Sequence, residues 1–290
     1  MNILALYLTA VLIWGSTWLV ITFQYGTVPP AVSVAYRFLL ASFFLLCWCL
    51  FRRLPLRFTP RQHGWMALQG LLLFGVNYVL VYLAETMVTS GLVATVFSLI
   101  VFLNILGARL FLGTPIRRAT LSGALLGVTG IVLVFLPEFS SKTAAAGLTT
   151  GLLFAVIGAT TASMGNILVT RNVRSGLPVV QMNTFGMFYG ALAVSIYALI
   201  THQPFVLDTG SRYLFSLTYL ALFGSVLAFG AYLTLIGRVG PGKAGYANVA
   251  IPVVALLLSA LFEGLRWSPL LVSGIVLCGA GNVVVLRSRS

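Results

Sequence analysis

The chain has 290 residues, 60% of them hydrophobic and 7% charged, with a mean hydropathy of +1.06. Soluble domains carry about 25% charged residues, so a soluble globule of this composition would lack the side chains to cover its surface; the chain reads as an all-α integral membrane protein. The net charge of +13 does not mark a nucleic-acid binder, because Lys and Arg stand singly and in pairs between apolar stretches rather than on one polar element.

Ten stretches of about 20 residues are predicted as spanning helices, the length that crosses ~30 Å of hydrocarbon at ~1.5 Å per residue. They lie near 3–23, 30–51, 64–84, 90–111, 118–136, 147–170, 177–200, 213–236, 243–262 and 268–286. Span 1 has no charged side chain but carries Trp14, Gly15, Ser16, Thr17 and Trp18 near its middle. No small-residue cleavage site follows a short apolar core, so it is expected to stay as a membrane helix. Trp14 and Trp18 share a helix face and lie too deep for an interfacial belt. A buried indole N–H needs an acceptor, so the pair is expected to line a cavity. Gly15 is expected to pack closely, with Ser16 and Thr17 either bonding back to the backbone or facing the same cavity.

Span 2 holds Arg37, the only full positive charge well inside a span. Its expected roles are to snorkel outward, to bond loop carbonyls or Glu85, or to contact a substrate carboxylate. Span 3 has Asn77 and a stripe of Tyr78, Tyr82 and Glu85 at i, i+4, i+7. Span 4 has Gly91, Thr95, Ser98 and Phe102 on one face, and span 6 has Thr160, Thr161, Ser163 and Asn166. Span 8 carries Ser225, Phe229 and Tyr232 as another stripe. Span 9 carries Tyr246, Asn248 and then Pro252, which frees a backbone carbonyl inside the membrane. Unsatisfied polar groups are costly in hydrocarbon, so these faces should meet other helices or a wet cavity.

The basic residues set the orientation. Arg52, Arg53, Arg57, Arg61, Arg109, Arg117, Arg118, Arg171, Arg174, Arg238, Lys243, Arg287 and Arg289 fall on one side of the ten-span map; Lys142, Arg212 and Arg266 fall on the other. The positive-inside rule puts the basic loops and both termini in the cytoplasm.

The chain also repeats. Shifted by 151 residues, GLVATVFSLIVFLNILGARLFLG (91–113) falls without gaps on GKAGYANVAIPVVALLLSALFEG (242–264). Gly91 meets Gly242, Gly113 meets Gly264, Gly123 meets Gly274 and Gly130 meets Gly281. This predicts two halves, 1–138 and 143–290, of five spans each. Five is odd, so the second half is inverted in the membrane, the plan of many secondary transporters with substrate held near the midplane.

Three motifs then carry a resemblance. WGSTW in span 1 resembles the W-G-(S/T) opening of EamA-type transporters of the drug/metabolite superfamily. AYRFLLAS (35–42) resembles their R-F-x-x-A, and LFEGL (261–265) their L-G-E-x-L; the matching first-half LFLGTPI (110–116) has Thr114 where that motif has Glu. Within the superfamily the chain most resembles the YddG-type exporters of aromatic and other amino acids. The resemblance implies a bacterial inner-membrane location and a central pathway walled by spans 1, 3, 4, 6, 8 and 9. The polar and aromatic stripes fall on those spans. The candidate substrate-binding set is therefore Trp14, Thr17, Trp18, Asn77, Tyr78, Tyr82, Thr95, Ser98, Phe102, Ser163, Asn166, Phe229, Tyr232, Tyr246 and Asn248, with Arg37 as a candidate carboxylate contact.

A cavity of aromatics, hydroxyls and amides suits an amphiphilic small solute. The four acids, Glu85, Glu138, Asp208 and Glu263, all lie away from the midplane on this map. Cationic-drug/proton antiport through a mid-membrane carboxylate is thereby disfavoured, as is phosphate-ester transport, which needs several basic groups. Cys47, Cys49 and Cys278 read as small apolar packing, and His63 and His202 as solvated loop residues. No metal or cofactor is expected. The expected function is a secondary transporter that exports amino acids and related small metabolites, spans 1–5 rocking against 6–10. Other metabolites or drugs are the alternative cargo. A passive pore, which would call for a charged or carbonyl ring, stands as a further alternative, as does an intramembrane enzyme, for which no convergent nucleophile–base or metal set appears in the sequence.

Overall fold

The computed structural model describes residues 2–113, 118–139, 145–232, 234–235 and 247–287, and every regular element among them is helical. Helix α1 covers Ile3–Thr22, α2 Pro30–Phe51, α3 Pro60–Glu85 and α4 Ser90–Phe111. Helix α5 covers Arg118–Phe139, α6 Ala145–Arg174 and α7 Val179–Ile200. Helix α8 covers Ser211–Tyr232, α9 Ala247–Phe262 and α10 Pro269–Arg287. Seven of them (α1 to α4 and α6 to α8) are long and apolar enough to cross a membrane; α5, α9 and α10 contain shorter apolar stretches, Leu121–Leu136, Ala250–Phe262 and Pro269–Val284.

Local chemistry sets the ends. Asn2 caps α1, its Oδ1 accepting from the Ala5 N–H at 2.7 Å. Thr59 and Gln62 form a capping box at the start of α3, with Pro60 in the first turn. That cap starts the helix ahead of the predicted boundary at 64 and corrects the reading of His63 as a solvated loop residue. His63 lies in the first turn of α3, and its Nδ1 shares a hydrogen bond with the Tyr189 hydroxyl at 2.8 Å, between the rings of Phe58 and Phe185. His202 lies just past α7 with φ 53.

Three helices depart from α geometry inside the bundle. Helix α4 is two pieces, Ser90–Phe97 and Ile100–Leu112. Between them Ser98 N–H bonds Thr95 O and Leu99 N–H bonds Val96 O, both three residues back, which overwinds the turn. Helices α3 and α8 each contain a π segment, Leu71–Val76 and Leu220–Leu227. In α3 the Asn77 N–H reaches past Leu73 to Leu72 O, and in α8 the Ala228 N–H reaches past Gly224 to Phe223 O. Each step leaves a carbonyl, Leu73 O and Gly224 O, without its helical partner. The two carbonyls are 151 residues apart, the shift found in the sequence. Helices α3 and α8 start 151 residues apart, at Pro60 and Ser211, as do α5 and α10, at Arg118 and Pro269.

Packing follows the same correspondence. Helix α2 lies against α7, α5 against α10, α1 against α9 and α4 against α6. The α5–α10 seam is built on glycines: a Cβ on Gly274 would stand 2.5 Å from Gly130 O, and one on Gly281 would stand 2.5 Å from Gly123 O. Under the 151-residue shift these two contacts exchange. Between them the Cys278 thiol donates to Gly127 O at 3.4 Å, and that pair is itself 151 apart. The α3–α7 seam repeats the device, since a Cβ on Gly70 would run into Gly186 O and one on Gly190 would lie 2.6 Å from Gly70 O. Such approaches replace the hydrophobic drive that lipid removes between membrane helices. Outward faces carry large apolar side chains such as Leu12, Phe43, Leu125 and Ile200.

Candidate functional site: a central cavity

The departures from α geometry meet around one cavity of about 420 Å³, lined by α1, α3, α4, α6, α7, α8 and α9. Among the described residues no charged side chain lines it. From α1 come Trp14, Thr17 and Trp18. The Trp14 indole N–H donates to Gly224 O, the carbonyl freed by the α8 π segment, at 3.1 Å. Its ring meets Phe229 edge-on and Tyr232 at a tilt, both with centroids 5.1 Å away. Trp18 stands edge-on to Phe97 at 5.0 Å. Thr17 Oγ1 donates back to Trp14 O at 2.7 Å, and Ser16 bonds both Ile13 O and the Tyr219 hydroxyl. Gly15 lets α9 approach: a Cβ there would stand 2.6 Å from Val254 Cβ. The WGSTW motif thus gives two indoles to the cavity, a glycine to the α1–α9 seam and a serine to α8.

From α3 come Asn77 and Tyr78. Asn77 Nδ2 donates at 3.1 Å to Leu73 O, the other carbonyl freed by a π segment. Asn77 Oδ1 is then left buried and without a partner. Ser98 lines the cavity at the α4 break, and Asn166, Phe229, Tyr232 and Asn248 line it from α6, α8 and α9. Asn248 Nδ2 lies 3.5 Å from the Tyr232 hydroxyl.

The remaining predicted residues are placed elsewhere, except Tyr246, which lies outside the described residues. Tyr82 is fully buried and donates to Gln24 Oε1 at 2.7 Å. It shares the Tyr78 stripe, but one turn further on it is Val81 rather than Tyr82 that lines the cavity. Thr95 Oγ1 donates to Gly91 O and faces a small void beside Pro252 and Cys278. Phe102 packs on α5, its ring 2.5 Å from where a Cβ of Gly127 would stand. Ser163 is buried in the α4–α6 seam near Gly107. The cavity face of α4 runs through Ala94, Phe97, Val101 and Asn104 at helical spacing, and Thr95 and Phe102 lie off it. Arg37 lies one layer behind the wall, 1% exposed.

Asn104, Thr170 and Asn183 line the cavity and were not singled out from sequence. Asn166 Nδ2 lies 3.4 Å from Asn104 Oδ1. Asn183 accepts from Gln69 Nε2 at 3.5 Å, and Gln69 Oε1 accepts from Asn172 at 3.0 Å. The available signal was the cost of an amide in an apolar span, which applies to Asn104 as much as to Asn166.

The two ends of the cavity differ. One reaches Thr170, Val179 and Asn183, at the ends of α6 and α7 that adjoin Arg171 and Arg174. Beyond the other, Tyr25 donates to Glu85 Oε2 at 3.0 Å, Tyr82 to Gln24, and the Ser90 N–H and hydroxyl both donate to the Glu263 carboxylate. Burial, and then the neighbouring Glu85, push the Tyr25 phenol well above its ordinary pKa, so it stays a donor.

A helical membrane protein with an aromatic and amide-lined central cavity defines a small-solute transporter class. The EamA-like transporter family model matches residues 1–136 and again 149–287. The chain therefore belongs to the EamA-like transporter family. It is 31% identical over 257 residues to the uncharacterized inner membrane transporter YedA of Escherichia coli K12, covering 87% of this chain and 80% of that one. It is 27% identical over 280 residues to protein PecM of Dickeya dadantii, covering 94% and 88%. It is also 22% identical over 302 residues to a probable amino-acid metabolite efflux pump of Escherichia coli K12, covering 98% and 95%. A protein of known crystal structure superposes with a TM-score of 0.71 over 99% of this chain and 98% of that one, at 22% identity, a likeness of fold.

Proposed function

We propose that this transporter exports amino acids, aromatic and other neutral ones, and related small metabolites by alternating access through the central cavity, in a bacterial inner membrane. The observation that carries the reading is the wall itself: Trp14, Trp18, Tyr78, Phe229 and Tyr232 offer ring faces, and Asn77, Asn104, Asn166, Asn183 and Asn248 offer amides, with no charged side chain among them. Rings receive apolar side chains and amides bond ammonium and carboxylate groups. The relative named as a probable amino-acid metabolite efflux pump supports this cargo. The paired π segments and the exchanging glycine contacts support two inverted five-helix halves, 1–138 and 143–290, and the placing of Lys and Arg supports cytoplasmic termini.

Counterflow tests the cargo. Purified protein in liposomes preloaded with unlabelled amino acids should take up labelled Phe, Thr and Met saturably, and Tyr78→Ala should weaken uptake by roughly tenfold, about 1.4 kcal/mol of binding. Folded protein that takes up no amino acid would remove the amino-acid assignment and direct the search to other metabolites or drugs.

On the positive-inside rule the cavity end near Arg171 and Arg174 faces the cytoplasm, and the end held by Glu85 and Glu263 faces outward and is shut. Glu263→Ala removes the acceptor of both Ser90 donors. In protein whose Cys47, Cys49 and Cys278 are replaced by alanine, a Val81→Cys probe at the shut end should then label several-fold faster with an impermeant maleimide added outside. Unchanged labelling would mean that Glu263 does not hold the gate.

A further inference from the structure

Asn77 Oδ1 at the cavity wall and Arg37 Nη1 one layer behind it are both buried and unpartnered, and they are chemically opposite. Asn77 Oδ1 is an acceptor with no donor, because its own Nδ2 is taken by the Leu73 carbonyl that the π segment frees. Arg37 Nη1 is a cationic donor with no acceptor. A buried charge is normally paired, yet among the described residues no carboxylate makes an ion pair with Arg37. Glu85 couples to it only through the field, being bonded instead to Tyr25.

What holds the guanidinium is weaker and neutral. Nε lies 3.4 Å from Ser225 Oγ, inside the α8 π segment. The guanidinium carbon stands 4.6 Å from the centre of the Tyr78 ring and 5.2 Å from that of Phe38. Gly224 makes the room, since a Cβ there would stand 3.3 Å from Nη2 and 2.8 Å from Thr17 Cγ2. Tyr78 and Thr17 both line the cavity. The Tyr78 ring is therefore the partition between cavity and cation, and Asn77 is its neighbour in the chain.

We infer that Arg37 and Asn77 form a zwitterion-reading pair: the substrate ammonium donates to Asn77 Oδ1, and its carboxylate, on turning the Tyr78 ring aside, accepts from Arg37 Nη1. The inference rests on the amino-acid reading above and narrows it to solutes that carry both charges on one carbon. An uncharged wall with a recessed cation beside a free amide acceptor holds such a head group best when both ends are present. A solute with the ammonium alone meets a repelling charge behind the ring, and one with the carboxylate alone leaves Asn77 Oδ1 unbonded.

Matched solutes test it by counterflow in reconstituted protein: phenylalanine, its methyl ester (no carboxylate) and 3-phenylpropionate (no ammonium). The wild-type protein should favour phenylalanine over each by at least roughly tenfold. Arg37→Met should erase the preference over the ester, Arg37→Lys should keep part of it, and Asn77→Leu should erase only the preference over phenylpropionate. Each readout is a ratio within one variant, so a smaller folded fraction cancels. A second measurement needs no Arg37 variant. In Tyr78→Ala the uncovered guanidinium should react with phenylglyoxal, read by mass spectrometry, and phenylalanine should protect it while the ester does not. Transport of phenylalanine with unchanged ratios in Arg37→Met, or equal protection by the ester, overturns the pair and leaves the amino-acid reading standing. No uptake of any amino acid by the wild-type protein overturns both.

Discussion

Trp14→Ala is expected to lower counterflow by at least roughly tenfold and to destabilise the protein as well. Trp14 does three things at once: it lines the cavity, it stacks against Phe229 and Tyr232, and it satisfies the Gly224 carbonyl that the α8 π segment leaves free. Truncating a buried Trp costs about 3–5 kcal/mol in a closed core; here one side of the ring faces a cavity, so the low end of that range is expected. Trp14→Phe separates the roles. It keeps a ring but orphans Gly224 O, a loss of about 1–3 kcal/mol. The melting temperature in detergent and the counterflow rate should fall for Trp14→Ala, with Trp14→Phe between it and wild type. A Trp14→Phe protein that matches wild type in both would show that the indole N–H bond across α1 and α8 is dispensable.

Gly274→Val is expected to be strongly destabilising although it lies outside the cavity. The added carbons would meet Gly130 O at 2.5 Å and Val134 Cγ2 at 2.6 Å, and both belong to a helix with no slack at that point. Overpacking costs about 1–3 kcal/mol and more when backbone must move; here α5 and α10 must part along their shared seam. Gly230→Ala is the control. A Cβ there meets nothing within 4 Å, and the position is helical, so propensity should leave stability unchanged or raise it by several tenths of a kcal/mol. Thermal unfolding of the two variants side by side checks both signs. Equal stability would mean that the α5–α10 contact is looser than its glycines indicate.

Much of this was legible because membranes punish exceptions. Two indoles in a charge-free span, an arginine among apolar residues and recurrent glycines are all expensive or idle in lipid unless they meet something, and each does. The sequence and the structure part where periodicity gives a face but not which face the cavity takes. Thr95 and Phe102 share a polar-and-aromatic face with Ser98, but the cavity takes the neighbouring face of Ala94, Phe97, Val101 and Asn104, with Ser98 at its edge. Tyr82 lies on the stripe of Tyr78, but its hydroxyl is taken by Gln24 in the packed interior and Val81 beside it faces the cavity instead. Asn183 reaches the cavity from α7, a helix outside the walls that the family resemblance implies. No sequence pattern announced the π segments, although they decide where Asn77 and Trp14 find their acceptors.

Those π segments also bear on how such a bundle could move. A π turn stores one residue more than the α turn it replaces. Returning it to α geometry would advance the rest of the helix in phase by about 100° and along its axis by about 1.5 Å. In α3 that change of phase would carry Asn77 and Tyr78 around the helix together; in α8 it would take back the carbonyl that Trp14 holds. Helices α3 and α8 thus each contain a discrete screw step at the cavity wall, a way to exchange one set of facing side chains for another without bending a helix or breaking the glycine seams.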